Sequence, residues 1–243
     1  MTAAVYLRHD DVGDSGKPAE RRIALAGVSL VADPAGALFW PEERLLAVSD
    51  LHLEKGSSFA ARGILLPPYD TAATLVRLAQ LIAFYTPRTV VALGDNFHDG
   101  GGAQRLGPDD RRQLLALQRG REWVWITGNH DPDPADGVGG RFADALAIGG
   151  LSFRHEPLAG VTAEIAGHLH PVARVVRRGR MISRRCFAGD RHRVVMPAFG
   201  AYTGGLNIHH RAFDGLFEPA SAMVYMLGES RVYAIAAGRC LID

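Results

Sequence analysis

The sequence has little cysteine, since Cys186 and Cys240 are the only two among its 243 residues. Two isolated cysteines exclude a disulfide framework and a cysteine-rich metal site, and they favour a reducing compartment. No apolar run is long enough to span a membrane, and the N-terminal segment lacks the apolar core of a secretion signal. We therefore expect a cytoplasmic protein that does not associate with a membrane.

Lysine is also scarce, because Lys17 and Lys55 are the only two and almost all positive charge is arginine. The net charge of +1 excludes a general polycation. Between residues 171 and 193, however, there are eight arginines and only one acidic residue, Asp190. Guanidinium groups suit bidentate contact with phosphate, so this segment indicates either a polyanion-binding surface or a solvated basic loop. The candidates for contact with the phosphate backbone of such a polyanion are Arg177, Arg178, Arg184 and Arg185.

The size and pattern of the chain predict one α/β domain. A chain with 47% hydrophobic residues can build a large core without disulfides. We expect a charged and partly flexible N-terminal arm over residues 1–22 and a single domain over residues 23–243. Strands and helices alternate in the first half, whereas the second half reads mostly as strands. This order predicts strands of two sheets packed between helical layers.

Polar residues follow three apolar segments of the first half, at the point where each predicted strand ends. Asp50 and His52 follow "RLLAV", and residues i and i+2 of an extended chain point to the same side. Two further segments, "GDNFHD" and "GNHD", follow the next two strands. They contain Asp95, Asn96, His98 and Asp99, and then Asn129, His130 and Asp131. Ligands of α/β sheets bind at the carboxyl ends of the strands, so these side chains are candidates for one site.

The second half adds three histidines in similar positions. His155 ends the predicted strand "LSFRH", and His168 and His170 follow "AEIAG". Six of the ten histidines of the chain therefore lie in strand-end segments. Such a concentration of polar groups is costly to bury without partners, and a bound cation would explain it.

These segments carry a family resemblance. The order "DLH", "GDNFHD", "GNHD", "H" and "GHLH" resembles the calcineurin-like metallophosphoesterases, whose fold is a pair of mixed sheets flanked by helices. The stretches "SDLHLEKGSSFAARG", "LPPYDT", "RRCF" and "MPAFGAYTGGLN" further resemble the bacterial branch of ligase-associated DNA damage response endonucleases. The second resemblance implies a manganese-dependent phosphodiesterase that acts on DNA.

The resemblance to the superfamily also implies a set of site residues. Asp50, His52 and His170 would hold one metal ion. Asn129, His155 and His168 would hold a second one, and Asp95 would bridge the two. A pair of ions activates water and stabilises charge during attack on a phosphodiester. Ligands of mixed nitrogen and oxygen type favour Mn²⁺, Fe or Zn²⁺, and the resemblance to the endonuclease branch selects Mn²⁺.

The same resemblance gives His130 and Asp131 a catalytic role. His130 would stabilise charge on the phosphate and protonate the leaving oxygen. Asp131 would orient His130, or it would only cap a loop.

The sequence leaves other polar residues open. His98 and Asp99 are either supports for a metal-bound histidine or ordinary loop residues, and Lys55 and Arg62 are either phosphate contacts or solvated. Tyr69 and Tyr202 could stack on a base, although we expect them to be half-buried core residues.

Three functions remain after these arguments. The first is a DNA endonuclease of a repair system that acts on single-stranded or flapped DNA, in association with a DNA ligase or helicase. The second is a hydrolase of small phosphodiesters such as cyclic nucleotides. The third is a binding scaffold without activity, which the complete ligand set disfavours.

Overall fold

The computed structural model describes residues 22–242. The predicted N-terminal arm lies outside the described residues except for Arg22, which begins the first strand. The described chain contains two mixed β-sheets and four α-helices.

The first sheet has seven strands in sequential order. They are β1 (Arg22–Leu25), β2 (Val28–Ala32), β3 (Leu38–Trp40), β4 (Leu45–Val48), β5 (Thr89–Leu93), β6 (Glu122–Ile126) and β7 (Arg141–Ala143). The first four strands pair antiparallel. From β4 to β7 the pairing is parallel, so β4, β5 and β6 all end at one edge of the sheet.

The second sheet has nine strands. They are β8 (Ala145–Ile148), β9 (Leu151–Arg154), β10 (Glu164–Ala166), β11 (Pro171–Arg177), β12 (Arg180–Gly189), β13 (Arg193–Val195), β14 (Leu206–Asn207), β15 (Met223–Leu227) and β16 (Val232–Ala236). Seven of them follow the order β14-β11-β12-β13-β10-β9-β8, and β15 pairs with both β12 and β16. The parallel pairing of β9 with β10 brings the ends of these two strands together.

The four helices lie between the fourth and sixth strands of the first sheet along the chain. They are α1 (Lys55–Ala60), α2 (Asp70–Tyr85), α3 (Gly102–Arg105) and α4 (Pro108–Gln118). Pro108 occupies the first turn of α4, where its missing N–H has no helical partner to lose. Helix α2 ends at Tyr85, with Thr86 as its C-cap and Pro87 as the next residue.

The central strand β4 is apolar throughout because both of its faces are buried. Leu45 and Ala47 pack into the core between the two sheets. Leu46 and Val48 face the other side, where they pack in the cluster formed with α2 and α4. A strand buried on both sides reads as a continuous apolar run, which is the pattern that the sequence presents.

These elements confirm the predicted fold class, two mixed sheets with flanking helices. Among the described residues, no helix is both long enough and apolar enough to cross a membrane. The division into one arm and one domain stays a prediction.

Candidate metal centre

The first two predicted ligands lie beyond the end of β4 rather than on the strand itself. Asp50 and His52 have φ angles of 52° and 43°, so the extended alternation expected from the sequence is wrong for this pair. The left-handed region costs roughly 1–2 kcal/mol for each residue that carries a Cβ. Predicted ligands with a positive φ are Asp50, His52, Asp95, His168 and His170. Strain of this kind concentrates at functional sites.

Backbone hydrogen bonds hold the β4 and β5 loops side by side. The Asp50 N–H donates to the Gly94 carbonyl at 3.3 Å, and the His52 N–H donates to the Asp95 carbonyl at 2.8 Å. The two loops therefore extend the strand pairing past the edge of the sheet and bring their polar side chains together.

The first cluster contains Asp50, His52 and His170, whose candidate ligand atoms lie within 4.8 Å of one another. His170 Nε2 lies 3.1 Å from Asp50 Oδ1. Burial alone would raise the pKa of Asp50, but the hydrogen bond and charge of His170 outweigh it and lower that pKa. Burial lowers the pKa of His52 to about 3, so its imidazole is neutral and free to bind a cation at neutral pH.

The second cluster contains Asp95, His155 and His168, again within 4.8 Å. His155 Nε2 lies 3.3 Å from Asp95 Oδ1 and 3.0 Å from Asn129 Oδ1. It also lies 3.1 Å from His168 Nδ1. The predicted members of the second ligand set are therefore neighbours.

Asp95 lies between the two clusters. Its Oδ1 faces His155 at 3.3 Å, while its Oδ2 lies 3.7 Å from His52 Nε2. One carboxylate oxygen is thus directed to each cluster, as a bridging ligand requires.

The ring nitrogen of His155 that carries the proton shows whether these residues suit a cation. His155 Nδ1 lies 2.9 Å from the Leu93 carbonyl oxygen, which can only accept, so Nδ1 carries the proton. In the neutral ring Nε2 then carries a lone pair. This lone pair faces oxygen acceptors of Asp95 and Asn129. A cation among these atoms replaces repulsion with coordination. A histidine fixed by a backbone carbonyl is the usual arrangement of a metal-binding imidazole.

Two glycines let the loops approach closely enough to form the clusters. A Cβ on Gly128 would lie 2.1 Å from the Asp95 backbone nitrogen, and a Cβ on Gly167 would lie 1.9 Å from Ser49 Oγ. Any larger residue would push apart the loops that carry the ligands.

His130 lies at the open side of the centre, with its side chain 40% exposed. Its backbone N–H donates to Asp95 Oδ1 at 2.9 Å, and its Nε2 lies 3.9 Å from Asp95 Oδ2. Its Nδ1 donates to the His98 carbonyl oxygen at 2.8 Å. The ring therefore presents Nε2 to the space beside both clusters.

The structure gives Asp131 a different contact from the one expected. Asp131 Oδ2 accepts hydrogen bonds from the backbone N–H groups of Asn96 at 2.9 Å and Phe97 at 3.2 Å. Burial raises the pKa of Asp131 to about 6. The group that orients His130 is the His98 carbonyl, and a backbone carbonyl leaves no signal in the sequence.

His98 joins the centre, whereas Asp99 does not. His98 Nδ1 lies 3.4 Å from His52 Nδ1, and the His98 ring stacks on the His130 ring with centroids 5.3 Å apart. His52, His98 and His130 also bring candidate ligand atoms within 4.8 Å. Asp99 instead forms an ion pair with Arg105 at 2.8 Å.

Lys55 and Arg62 lie at the rim of the centre, around Phe59. The Phe59 ring packs 5.5 Å from the His98 ring. The Arg62 guanidinium lies 4.7 Å and the Lys55 ammonium 5.8 Å from the Phe59 centroid. Both positive charges therefore lie near the imidazole ring of His98.

Strands β11 and β12 form an arginine-rich hairpin that starts directly after His170. Arg177 pairs with Arg180 across the hairpin, and Arg184 lies on the same face because the pairs alternate between faces. These three arginines are exposed, and an open groove of about 710 Å³ lies among them. Arg178 is exposed at the turn. Opposed like charges destabilise a strand pair, so this face favours an anionic partner.

Arg185 differs from the other predicted DNA contacts. It lies on the opposite face of the hairpin, paired with Val172. Its Nη1 donates to the Ala198 carbonyl oxygen at 2.7 Å, and burial lowers its pKa. Arg185 therefore stabilises the protein's own backbone.

The expectation that Tyr69 and Tyr202 are half-buried core residues is wrong. Tyr69 is 67% exposed and Tyr202 is 46% exposed. Tyr69 directly precedes α2 and Tyr202 lies in the loop between β13 and β14. Neither ring is part of a hydrophobic core cluster.

Comparison with solved structures finds proteins that are similar to this chain. The nuclease MPE of Pseudomonas putida is 30% identical, with a TM-score of 0.67 over 88% of this chain and 98% of that one. The phosphoesterase Yfce of E. coli is 14% identical, with a TM-score of 0.36 over 79% of this chain and 98% of that one. No curated protein matches the chain significantly.

The sequence model of one family covers more than half of the chain. It matches residues 43–184 and is described as calcineurin-like phosphoesterase. The matched region runs from the turn before β4 into β12, and it contains both ligand clusters and His130. The chain therefore belongs to the calcineurin-like phosphoesterase family.

Proposed function

We propose that the protein is a phosphodiesterase with two divalent metal ions and that it acts as a DNA endonuclease in DNA repair. The observation that carries this proposal is the pair of ligand clusters that share Asp95, with His130 at their open side. The similarity to a bacterial nuclease over most of the chain supports the choice of nucleic acid as substrate.

The ligand sets expected from the resemblance fit the geometry. Asp50, His52 and His170 would hold one ion. Asn129, His155 and His168 would hold the other, with Asp95 shared. When bound, two such ions supply an activated nucleophile and neutralise charge on the phosphate. Nitrogen and oxygen donors without thiolate suit Mn²⁺, Fe or Zn²⁺, and we propose Mn²⁺ for both sites because of the resemblance to the endonuclease branch.

The protein's own contribution at the reacting phosphate comes from His130. Its Nδ1 proton is held by the His98 carbonyl at 2.8 Å, which leaves Nε2 to meet the substrate. A protonated Nε2 can donate to a phosphate oxygen and then to the leaving oxygen of the cleaved strand.

Asp131 is proposed as a positioning residue. It accepts from two consecutive N–H groups of the loop that follows Asp95. This contact fixes the loop that carries the shared ligand, so Asp131 would act on the reaction through Asp95.

Positive charge around the centre favours a polymeric anion over a small diester. Lys55 and Arg62 lie at one rim. The hairpin face with Arg177, Arg180 and Arg184 begins at the His170 side. The seven residues of β11 extend about 23 Å at roughly 3.3 Å each, so the tip of the hairpin can meet phosphates several nucleotides from the cut. Such contacts make binding dependent on salt.

The resemblance to the ligase-associated endonucleases suggests a functional association with a DNA ligase or helicase system, and we propose that association. A DNA substrate also agrees with the cytoplasmic location expected from the sequence.

Circular single-stranded DNA tests the proposal, because a circle has no ends and only an endonuclease can open it. Metal-stripped protein with Mn²⁺ restored is expected to linearise the circle. Cleavage of the circle is expected to weaken strongly between 50 and 200 mM salt because contacts with several phosphates are screened. Hydrolysis of bis(4-nitrophenyl) phosphate should depend little on salt, because this molecule is too small to reach the arginine-rich hairpin from the metal centre.

His192→Ala provides a control, since His192 lies at the opposite end of β10, where its carbonyl accepts from the Glu164 N–H. This variant should cut as the parent does. Hydrolysis of the small diester without any cleavage of the circle would contradict the endonuclease function and favour a hydrolase of small phosphodiesters. The absence of both activities with every divalent ion would contradict the proposal that the protein is an enzyme.

A further inference from the structure

Tyr202 lies in a short loop attached to the metal centre at both ends. The Gly200 N–H donates to the Asp50 carbonyl at 3.0 Å, and the Leu206 N–H donates to the His170 carbonyl at 3.1 Å. Gly200 approaches the β4 loop so closely that a Cβ there would lie 2.1 Å from the Leu51 carbonyl oxygen. Because Tyr202 is two residues from Gly200, their Cα atoms are separated by at most about 7 Å.

The backbone of Tyr202 is strained. Its φ angle is 60°, a region that glycine adopts freely and a bulky aromatic residue rarely does. The ring that this backbone displays is 46% exposed, so burial of the ring does not account for the strain. Strain held at a functional site without a packing reason indicates a role for the side chain.

Tyr69 directly precedes helix α2, whose first turns contact the loops around the metal centre. The next residue, Asp70, accepts a hydrogen bond from the Gly56 N–H at 3.0 Å. Thr71 accepts from the Glu54 N–H at 2.8 Å, only two residues after His52. Thr74 of the same helix accepts from the Ala201 N–H at 3.0 Å. These contacts link the segment with Tyr69 to the loop with Tyr202.

We propose that Tyr69 and Tyr202 form a stacking platform for unpaired nucleobases beside the metal centre, which makes a single strand the preferred substrate. This inference rests on the proposed nuclease function. Both rings are exposed, and the surrounding charge suits the same occupant, because Lys55 and Arg62 supply positive charge beside the centre.

An unpaired strand has free base faces, which can cover the two exposed rings. Every base has a π-face that can stack on an aromatic ring regardless of sequence. In a duplex these faces are already covered by neighbouring bases, so a duplex would have to open before it could use the platform. The metal centre would then act on the phosphate that follows the stacked base.

The test compares an oligothymidine with the same oligonucleotide carrying abasic sites around the cut. The phosphates are identical in the two, so the difference measures contacts with the bases, and the tyrosine variants assign those contacts to stacking. The Mn²⁺-loaded parent is expected to have a KM about tenfold lower for the oligothymidine, since each stacked base contributes a factor of roughly 5 to 150. Tyr202→Ala and Tyr69→Ala should reduce this preference, and the double variant should remove it. Tyr202→Phe should retain it.

Three further measurements give the test its controls. Tyr233→Ala is a matched control, because Tyr233 is 40% exposed but lies on β16 at the edge of the second sheet. The bound Mn²⁺ and the circular dichroism spectrum of each variant, compared with those of the parent, verify that the variant folds and binds metal. Tyr202→Gly suits the positive φ, so it provides a well-folded variant without the ring if the alanine variant is unstable.

The outcomes separate the platform from the nuclease function. If the parent cuts both oligonucleotides with one KM, or if the double variant keeps the preference, the platform is overturned while the nuclease function stands. If the parent cuts no DNA, both fall together.

Discussion

Asp95→Asn is expected to lower the rate of phosphodiester hydrolysis by at least about 10³-fold. The Asp95 carboxylate directs one oxygen to the cluster with His155 at 3.3 Å and the other to His52 at 3.7 Å. An amide has only one acceptor oxygen and no negative charge, so it cannot join two cations. Steady-state hydrolysis of bis(4-nitrophenyl) phosphate and elemental analysis of the purified variant measure the two losses, of rate and of bound metal.

Asp99→Asn is the matched control for this change. Asp99 lies in the same loop, but its carboxylate pairs with Arg105 at 2.8 Å and accepts from the Gly101 N–H at 2.9 Å. We expect the Asp99 variant to retain both ions and most of its activity. An Asp95 variant that keeps two ions and the parent rate would contradict the bridging role.

His130→Ala is expected to reduce kcat by about 10²- to 10⁴-fold with DNA as substrate. The ring lies outside both proposed ligand sets, and its Nε2 faces the open side of the centre 3.9 Å from Asp95 Oδ2. Bound metal and the fold should therefore survive the substitution. Single-turnover cleavage of an oligonucleotide, together with the metal content of the variant, measures the effect.

The leaving group distinguishes proton donation by His130 from a purely structural role. A 4-nitrophenolate departs without protonation, whereas the alkoxide of a DNA strand does not. The loss in the His130 variant should therefore be clearly smaller with bis(4-nitrophenyl) phosphate than with DNA. Equal losses with the two substrates would mean that His130 does not act as the acid.

The sequence predicts most of the fold because its signals are local. Strand β4 is apolar on both faces and ends before a polar loop. Helix α2 combines a regular apolar face with a stop before Pro87. Such patterns depend on a few neighbouring residues, and the resemblance to a family then supplied the pairing of the two sheets.

The site was only partly predictable, because its geometry depends on contacts between distant segments. Asp50 and His52 converge through left-handed turns rather than through strand alternation. The partner of His130 is the His98 carbonyl, and backbone groups are the same at every position of a sequence. The exposure of Tyr202 depends on a loop held by Asp50 and His170, which no local pattern indicates.

The central claim is that the two clusters around Asp95 hold two ions that act together. Titration of Mn²⁺ into metal-stripped protein, followed by calorimetry and by hydrolysis of bis(4-nitrophenyl) phosphate in parallel, tests this claim most directly. We expect two ions to bind per chain and activity to rise with the second equivalent. Full activity with one bound ion, or no binding of Mn²⁺, Fe²⁺ or Zn²⁺ by the stripped protein, would contradict it.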